Sequence, residues 1–142
     1  MQEPFIPLEL FTTGSSIIIV LVILYTILKY KKQCQSILEI SNNIRYVGVI
    51  NNYGRTLTGV IQPNLKPLLK SEEVKHEFFI ISTLFSLRKE NANSLGKLDH
   101  IILKHSKVNI IVFQKSNVTF YISINSKEKS LDKIITLIKK TI

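Results

Sequence analysis

His76, His100, His105, Cys34 and ten acidic side chains are the groups with which this 142-residue chain could do chemistry. A metal site wants several such ligands at set spacing, three or four residues apart on a helix. His100 and His105 stand five apart across a strand end, and His76, on another element, has only Glu72, Glu73 and Glu77 nearby. These read as solvated or edge histidines, and no metal or other cofactor is expected. Cys34 is the only cysteine, so no internal disulfide can form. It lacks an accompanying His or Asn motif, which leaves lipidation or an ordinary helix cysteine as its readings. Asp99 and His100 could do acid–base work, but neighbours on a strand point to opposite faces and cannot jointly address one substrate. Glu72 and Glu73 read as helix-start charges, and the sequon at Asn117-Val118-Thr119 falls in a tight turn. Asn51-Asn52-Tyr53-Gly54 could cradle a phosphate, yet a second strand rather than a helix follows it, so it reads as a hairpin turn with Gly54 left-handed. No catalytic residue emerges, and the chain is not expected to be an enzyme.

The elements that position these groups begin with an apolar stretch. Residues 10–28 hold no charge, and as a helix they span roughly 28 Å, close to a hydrocarbon core. The stretch reads as one transmembrane helix, with an extracytoplasmic N-terminus over residues 1–9. Glu3 and Glu9 precede it and the membrane-proximal basic residues Lys29, Lys31 and Lys32 follow. The positive-inside bias then puts the N-terminus outside and the rest in the cytoplasm of a single-pass cell-membrane protein, with the lipid bilayer as a partner. The formal charge of +9 is carried from Lys29 onward. Lysine dominates it, which suits an anionic membrane surface, and no nucleic acid is expected.

After a juxtamembrane basic segment and short helix over residues 29–43, the domain spans 44–142. Residues 44–50 and 55–62 form a hairpin, closed by Pro63 and Pro67. Ser71 caps a helix running to about Lys89 whose apolar residues form two stripes, Val74, Phe78, Ile81 and Phe85 in one and Ile80, Leu84 and Leu87 in the other, with Phe79 further round. One stripe faces a sheet and the other a second partner. Asn91, Asn93, Ser94 and Gly96 break the helix, and strands over 98–104, 108–114 and 118–124 follow as a meander. The last alternates so that only one of its faces is buried. Ser130 caps a final helix striped by Leu131, Ile134, Ile135, Ile138 and Ile142. The fold class is α+β, a five-stranded antiparallel sheet in the order helix-β-β-helix-β-β-β-helix behind one transmembrane helix.

That order, with RYVGVINNYGRTLTG at 45–59, RKENANSLGKLDHIILKHSKVNIIVF at 88–113 and the closing LDKIITLIKK, resembles the roadblock/dynein light chain domain, a relative of longin and profilin-like sheets. The wording is closer still to an uncharacterised archaeal family with that kind of fold, and the resemblance covers roughly residues 35–142. It implies a non-enzymatic, membrane-anchored scaffold or regulatory module that homodimerises and binds a partner such as a small Ras-like GTPase. On this sequence the implied dimer interface is Phe79, Ile80, Leu84 and Leu87 with His100, Ile102 and Lys104. The alternative is a membrane-tethered sensory module whose profilin-like sheet binds a small ligand, which a concave pocket between sheet and helix would favour.

Overall fold

Five runs rich in β-branched and aromatic residues pair into one antiparallel sheet: β1 (Ile44–Ile50), β2 (Thr56–Ile61), β3 (Ile101–Lys104), β4 (Val108–Lys115) and β5 (Val118–Asn125). The computed structural model describes residues 14–142, so the expectations for residues 1–13 lie outside the described residues. Strand order is β2-β1-β5-β4-β3, which makes β5 central and leaves β2 and β3 as edges. The meander of β3, β4 and β5 is as expected. The half-buried reading of the last strand is not: Thr119 and Tyr121 are buried as well as Phe120 and Ile122, because helices cover both faces of the sheet.

On one face lie α1 (Gly14–Leu38) and α4 (Leu131–Thr141), and on the other α2 (Ser71–Lys89). The first face holds the larger core, where Cys34 and Ile37 of α1 and Ile134, Ile135 and Ile138 of α4 meet Val47, Val49, Phe120 and Ile122. The second is smaller, with Phe78, Ile81 and Phe85 set against Ile50, Ile110, Val112 and Tyr121. A further single turn, α3 (Ala92–Leu95), stands where the sequence predicts only a helix break, so the helix order gains one member.

The predicted membrane crossing is overturned: no helix among the described residues is long and apolar enough to cross a membrane. The uncharged described part of α1 runs from Gly14 to Leu28, about 22 Å of helix against a hydrocarbon core of about 30 Å. Beyond it the same helix serves the sheet. Tyr30 sits edge-on to Phe120 at 6.2 Å, and Cys34 and Ile37 are fully buried. Lys29, Lys31 and Lys32 are therefore the polar side of a packing helix, and the single-pass cell-membrane location, its orientation and the bilayer partner lose their basis.

Gly54 takes φ +79°, as a turn glycine should. Asn51 organises that turn: its side-chain oxygen accepts from the backbone N–H groups of Tyr53 (2.9 Å) and Arg55 (3.0 Å). A turn with Ile50 facing Arg55 would set Tyr46 opposite Gly59; Ile50 instead faces Thr56, and with an irregularity at Val49/Ile50 Tyr46 stands opposite Ile61 and Gly48 opposite Gly59. Tyr46 then folds over the glycine pair, its ring closing the space that a Cβ at either glycine would fill. The β4–β5 turn has positive φ at both Ser116 and Asn117, the geometry of a two-residue hairpin, and it places the sequon's Thr119 in the core. Of the two predicted caps, that of α2 shifts by one residue, whereas Ser130 does stand at the N-cap of α4. At α2 the capping position is Lys70, whose N–H donates to Glu73 Oε1 at 2.9 Å, and at α4 the Ser130 side chain makes no capping bond.

Candidate functional site

Helix α2 carries apolar residues on opposite sides. Inward, Phe78, Ile81 and Phe85 are buried; outward, Phe79, Ile80 and Leu87 are 62%, 57% and 55% exposed, with Leu84 half-buried between them. A surface helix that packs on one sheet needs only one such stripe. The outer stripe is therefore unpartnered within the described residues, and β3 supplies an edge whose outer backbone groups pair with no described strand.

The strand residues nominated with that helix divide differently. Ile102 pairs with Ile111 and so points to the α1/α4 side, as Lys104 and its partner Asn109 do. Ile101 and Leu103 pack on the α2 side. His100 turns away as well: its Nδ1 lies 2.5 Å from Asp99 Oδ2, and Lys139 of α4 forms an ion pair with the same carboxylate. Phe79, Ile80, Leu84 and Leu87 thus share α2, whereas His100, Ile102 and Lys104 do not share its face. Ile101 and Leu103 are the strand residues the sequence reading missed, and only the pairing of Ile101 with Val112 reveals which of the two alternating sets faces α2.

The Asp99–His100 geometry corrects the opposite-faces argument, because β3 starts only at Ile101 and both side chains are free to meet. The Lys139 and His100 bonds hold the Asp99 carboxyl below its ordinary range. This is an exposed staple between α4 and the entry to β3. Among the described residues no three His, Cys, Asp or Glu side chains come together to hold a metal. Cys34 is fully buried and its thiol is pushed up to about 12 by that burial, so it is closed to lipidation and to nucleophilic work.

Beneath the N-terminal half of α2 the sheet and helix separate around a cavity of about 600 Å³. Ile61, Ile110 and Tyr121 line its sheet side, Leu69, Val74 and Phe78 its helix side, and the β3–β4 turn closes one end with His105 and Lys107. Tyr121 Oη donates to Glu77 Oε2 at 3.0 Å inside it. Burial first, then the neighbouring Glu77 charge, pushes the Tyr121 phenol far up, and burial pushes Tyr46 up to about 12, so both remain neutral hydroxyls. Arg45 stands at the rim, with Nη2 donating to the Lys66 carbonyl at 3.0 Å. No sequence signal announced this space, because periodicity tells which residues face the sheet and not how far the helix stands from it.

No family model matches the sequence, and no curated protein matches it. Solved structures do resemble the fold. The gliding protein MglB of Thermus thermophilus aligns with a TM-score of 0.64 at 12% identity, covering 78% of this chain and 80% of that one. MglB of Myxococcus xanthus aligns at 0.63 and 14% identity over 80% and 88% of the two chains. A Roadblock/LC7 domain from Streptomyces avermitilis aligns at 0.55 and 10% identity over 76% and 90%. The archaeal origin finds no support among them. At these identities the likeness concerns architecture alone: the chain has an α+β, roadblock/LC7-like fold built on a five-stranded antiparallel sheet.

Proposed function

We propose that this protein is a non-enzymatic assembly module in which α2 and the β3 edge pair with a second copy and the pair docks a protein partner. The observation that carries the reading is the outer stripe Phe79, Ile80 and Leu87, exposed beside an unpaired strand edge. Such an edge invites strand addition, and an apolar helix face alongside adds the burial that a stable pair of about 1,200–2,000 Å² requires. Assembly of a neighbour supports it, since one similar structure, at TM-score 0.64, is MglB in a tetrameric arrangement. For the docked partner, a small Ras-like GTPase is the class that the roadblock resemblance implies.

Light scattering after size exclusion, on the full chain well above about 10 μM, tests the pairing. A dimer or higher even assembly is expected, converting to monomer in Leu87→Glu or Phe79→Glu while circular dichroism stays unchanged. A monomeric native chain at that concentration, or a dimer indifferent to both variants, refutes the assignment of this face.

A further inference from the structure

We infer that the cavity under α2 binds a small amphipathic anion, a molecule with an apolar chain or ring body and a carboxylate head, such as a medium-chain fatty acid. The inference stands apart from the assembly reading, because the cavity lies on the inner side of α2 and the pairing stripe on the outer.

Its volume of about 600 Å³ falls within the range of about 300–1,000 Å³ typical of ligand pockets. The body of the ligand is set by the walls: Ile61, Val74, Phe78 and Ile110 offer no polar atom in their side chains, and Tyr46 and Tyr121 contribute ring faces 6.2 Å apart in an edge arrangement. Walls so lined suit an apolar body better than a sugar or a free nucleotide, most of whose polar groups would go unpaired against them. The head is set by charge. Among the lining side chains Arg45 and Lys107 carry positive charge, Glu77 alone is a carboxylate, and His105 lies two residues from Lys107. Tyr121 Oη donates to one Glu77 oxygen at 3.0 Å, and this one carboxylate stands against the two cations Arg45 and Lys107. Arg45 uses Nη2 on the Lys66 carbonyl, and its remaining N–H donors stay available for a carboxylate. Arg45 at the start of β1 and Lys107 just before β4 stand at the same end of the sheet, on either side of β5, so that a bound head can be held by two cations while the body lies between sheet and helix.

Anilinonaphthalene sulfonate, itself an aromatic anion, is titrated into the full chain and then displaced by decanoate, decanol or decylamine. Decanoate should displace the probe, with decanol and decylamine weaker by about tenfold or more. Arg45→Gln with Lys107→Gln should weaken decanoate about tenfold and leave decanol unchanged. Val74→Trp, which fills the cavity, should abolish decanoate binding. If it does not fold, the rim double variant decides alone, because Lys107 is exposed and half-buried Arg45 gives up one bond to the Lys66 carbonyl. Leu87→Glu alters the outer stripe and should leave decanoate binding intact. Equal competition by all three chains, indifference to the rim variant, or loss of binding in Leu87→Glu each overturns the assignment. The last would locate the probe on the outer face, and the light-scattering result on native protein is independent of all of them.

Discussion

Tyr46 and the two glycines beneath it make a prediction in which one substitution changes sign. A Cβ added at Gly48 would stand 2.8 Å from the Tyr46 ring carbons, and one at Gly59 would stand 2.5 Å from the Tyr46 hydroxyl. The ring cannot simply swing clear, because Tyr121 stands edge-on to it at 6.2 Å. Overpacking of this kind costs about 1–3 kcal/mol. Replacing glycine by alanine in a strand otherwise gains about 0.5–1 kcal/mol through the unfolded chain and strand preference. Gly48→Ala should therefore destabilise by about 1–2 kcal/mol in the native background. In Tyr46→Ala, where the ring is gone, the same change should stabilise by about 0.5–1 kcal/mol. The coupling of about 2 kcal/mol is read from urea midpoints of the four proteins at constant slope, well beyond the few tenths expected of independent sites. Equal costs of Gly48→Ala in both backgrounds would refute the claim that the tyrosine occupies the glycines' side-chain space.

Gly54→Ala should be costlier than Gly96→Ala through its surroundings, because a Cβ at Gly54 meets the α2 backbone at 2.8 Å whereas one at Gly96 meets nothing within 4 Å. Both carry positive φ, and Gly96 adds ψ 169°, so thermal melts set backbone strain alone at Gly96 beside a clash at Gly54 expected to contribute about 1–3 kcal/mol. Cys34 should resist alkylation by a maleimide at pH 8 until the protein is unfolded in urea; rapid native labelling would contradict its burial. Glu128 is held below its ordinary value of 4.5 chiefly by the Ser130 backbone N–H, then by Asn43. Asp99 is held below 3.8 chiefly by Lys139, then by His100. A lowered folded value means the unfolded chain binds the proton more readily, so these contributions are complete above the ordinary carboxylate values and fade as pH falls through the lowered ones. Glu128→Gln and Asp99→Asn should accordingly flatten the acid decline of the urea midpoint, and an unchanged decline would show that neither bond matters.

Much of the sheet was legible because short-range signals fix it. Pro63, Gly54 and the polar turns at 105–107 and 115–117 delimit the strands, and the two apolar stripes of α2 announced a helix with a second apolar side besides the one packed on the sheet. What failed depended on distance across the fold. The apolar run 17–24, the half-buried Tyr30 and the core residues Cys34 and Ile37 belong to one helix, and hydropathy alone counts the run without seeing that this helix packs into a domain core. The hairpin register turned on an irregularity at Val49/Ile50 that no residue type marks. Assignment of Ile101 rather than Ile102 to the α2 side needed the β3–β4 pairing. The cavity was invisible for the same reason, since the stand-off of α2 is a property of the assembled layers.

That stand-off has a consequence for motion. The α1/α4 face is knitted to the sheet through an extensive buried cluster, while α2 rests on a smaller one beside a cavity of about 600 Å³. Regions with fewer buried apolar contacts open locally at lower free energy than the rest of a fold. Helix α2 is then the first layer to loosen, and its amides should exchange with solvent sooner than those of β4 and β5. Because that same helix displays the outer apolar stripe, anything seated above or below it slows its exchange, and protection along α2 becomes a direct gauge of occupancy on either side.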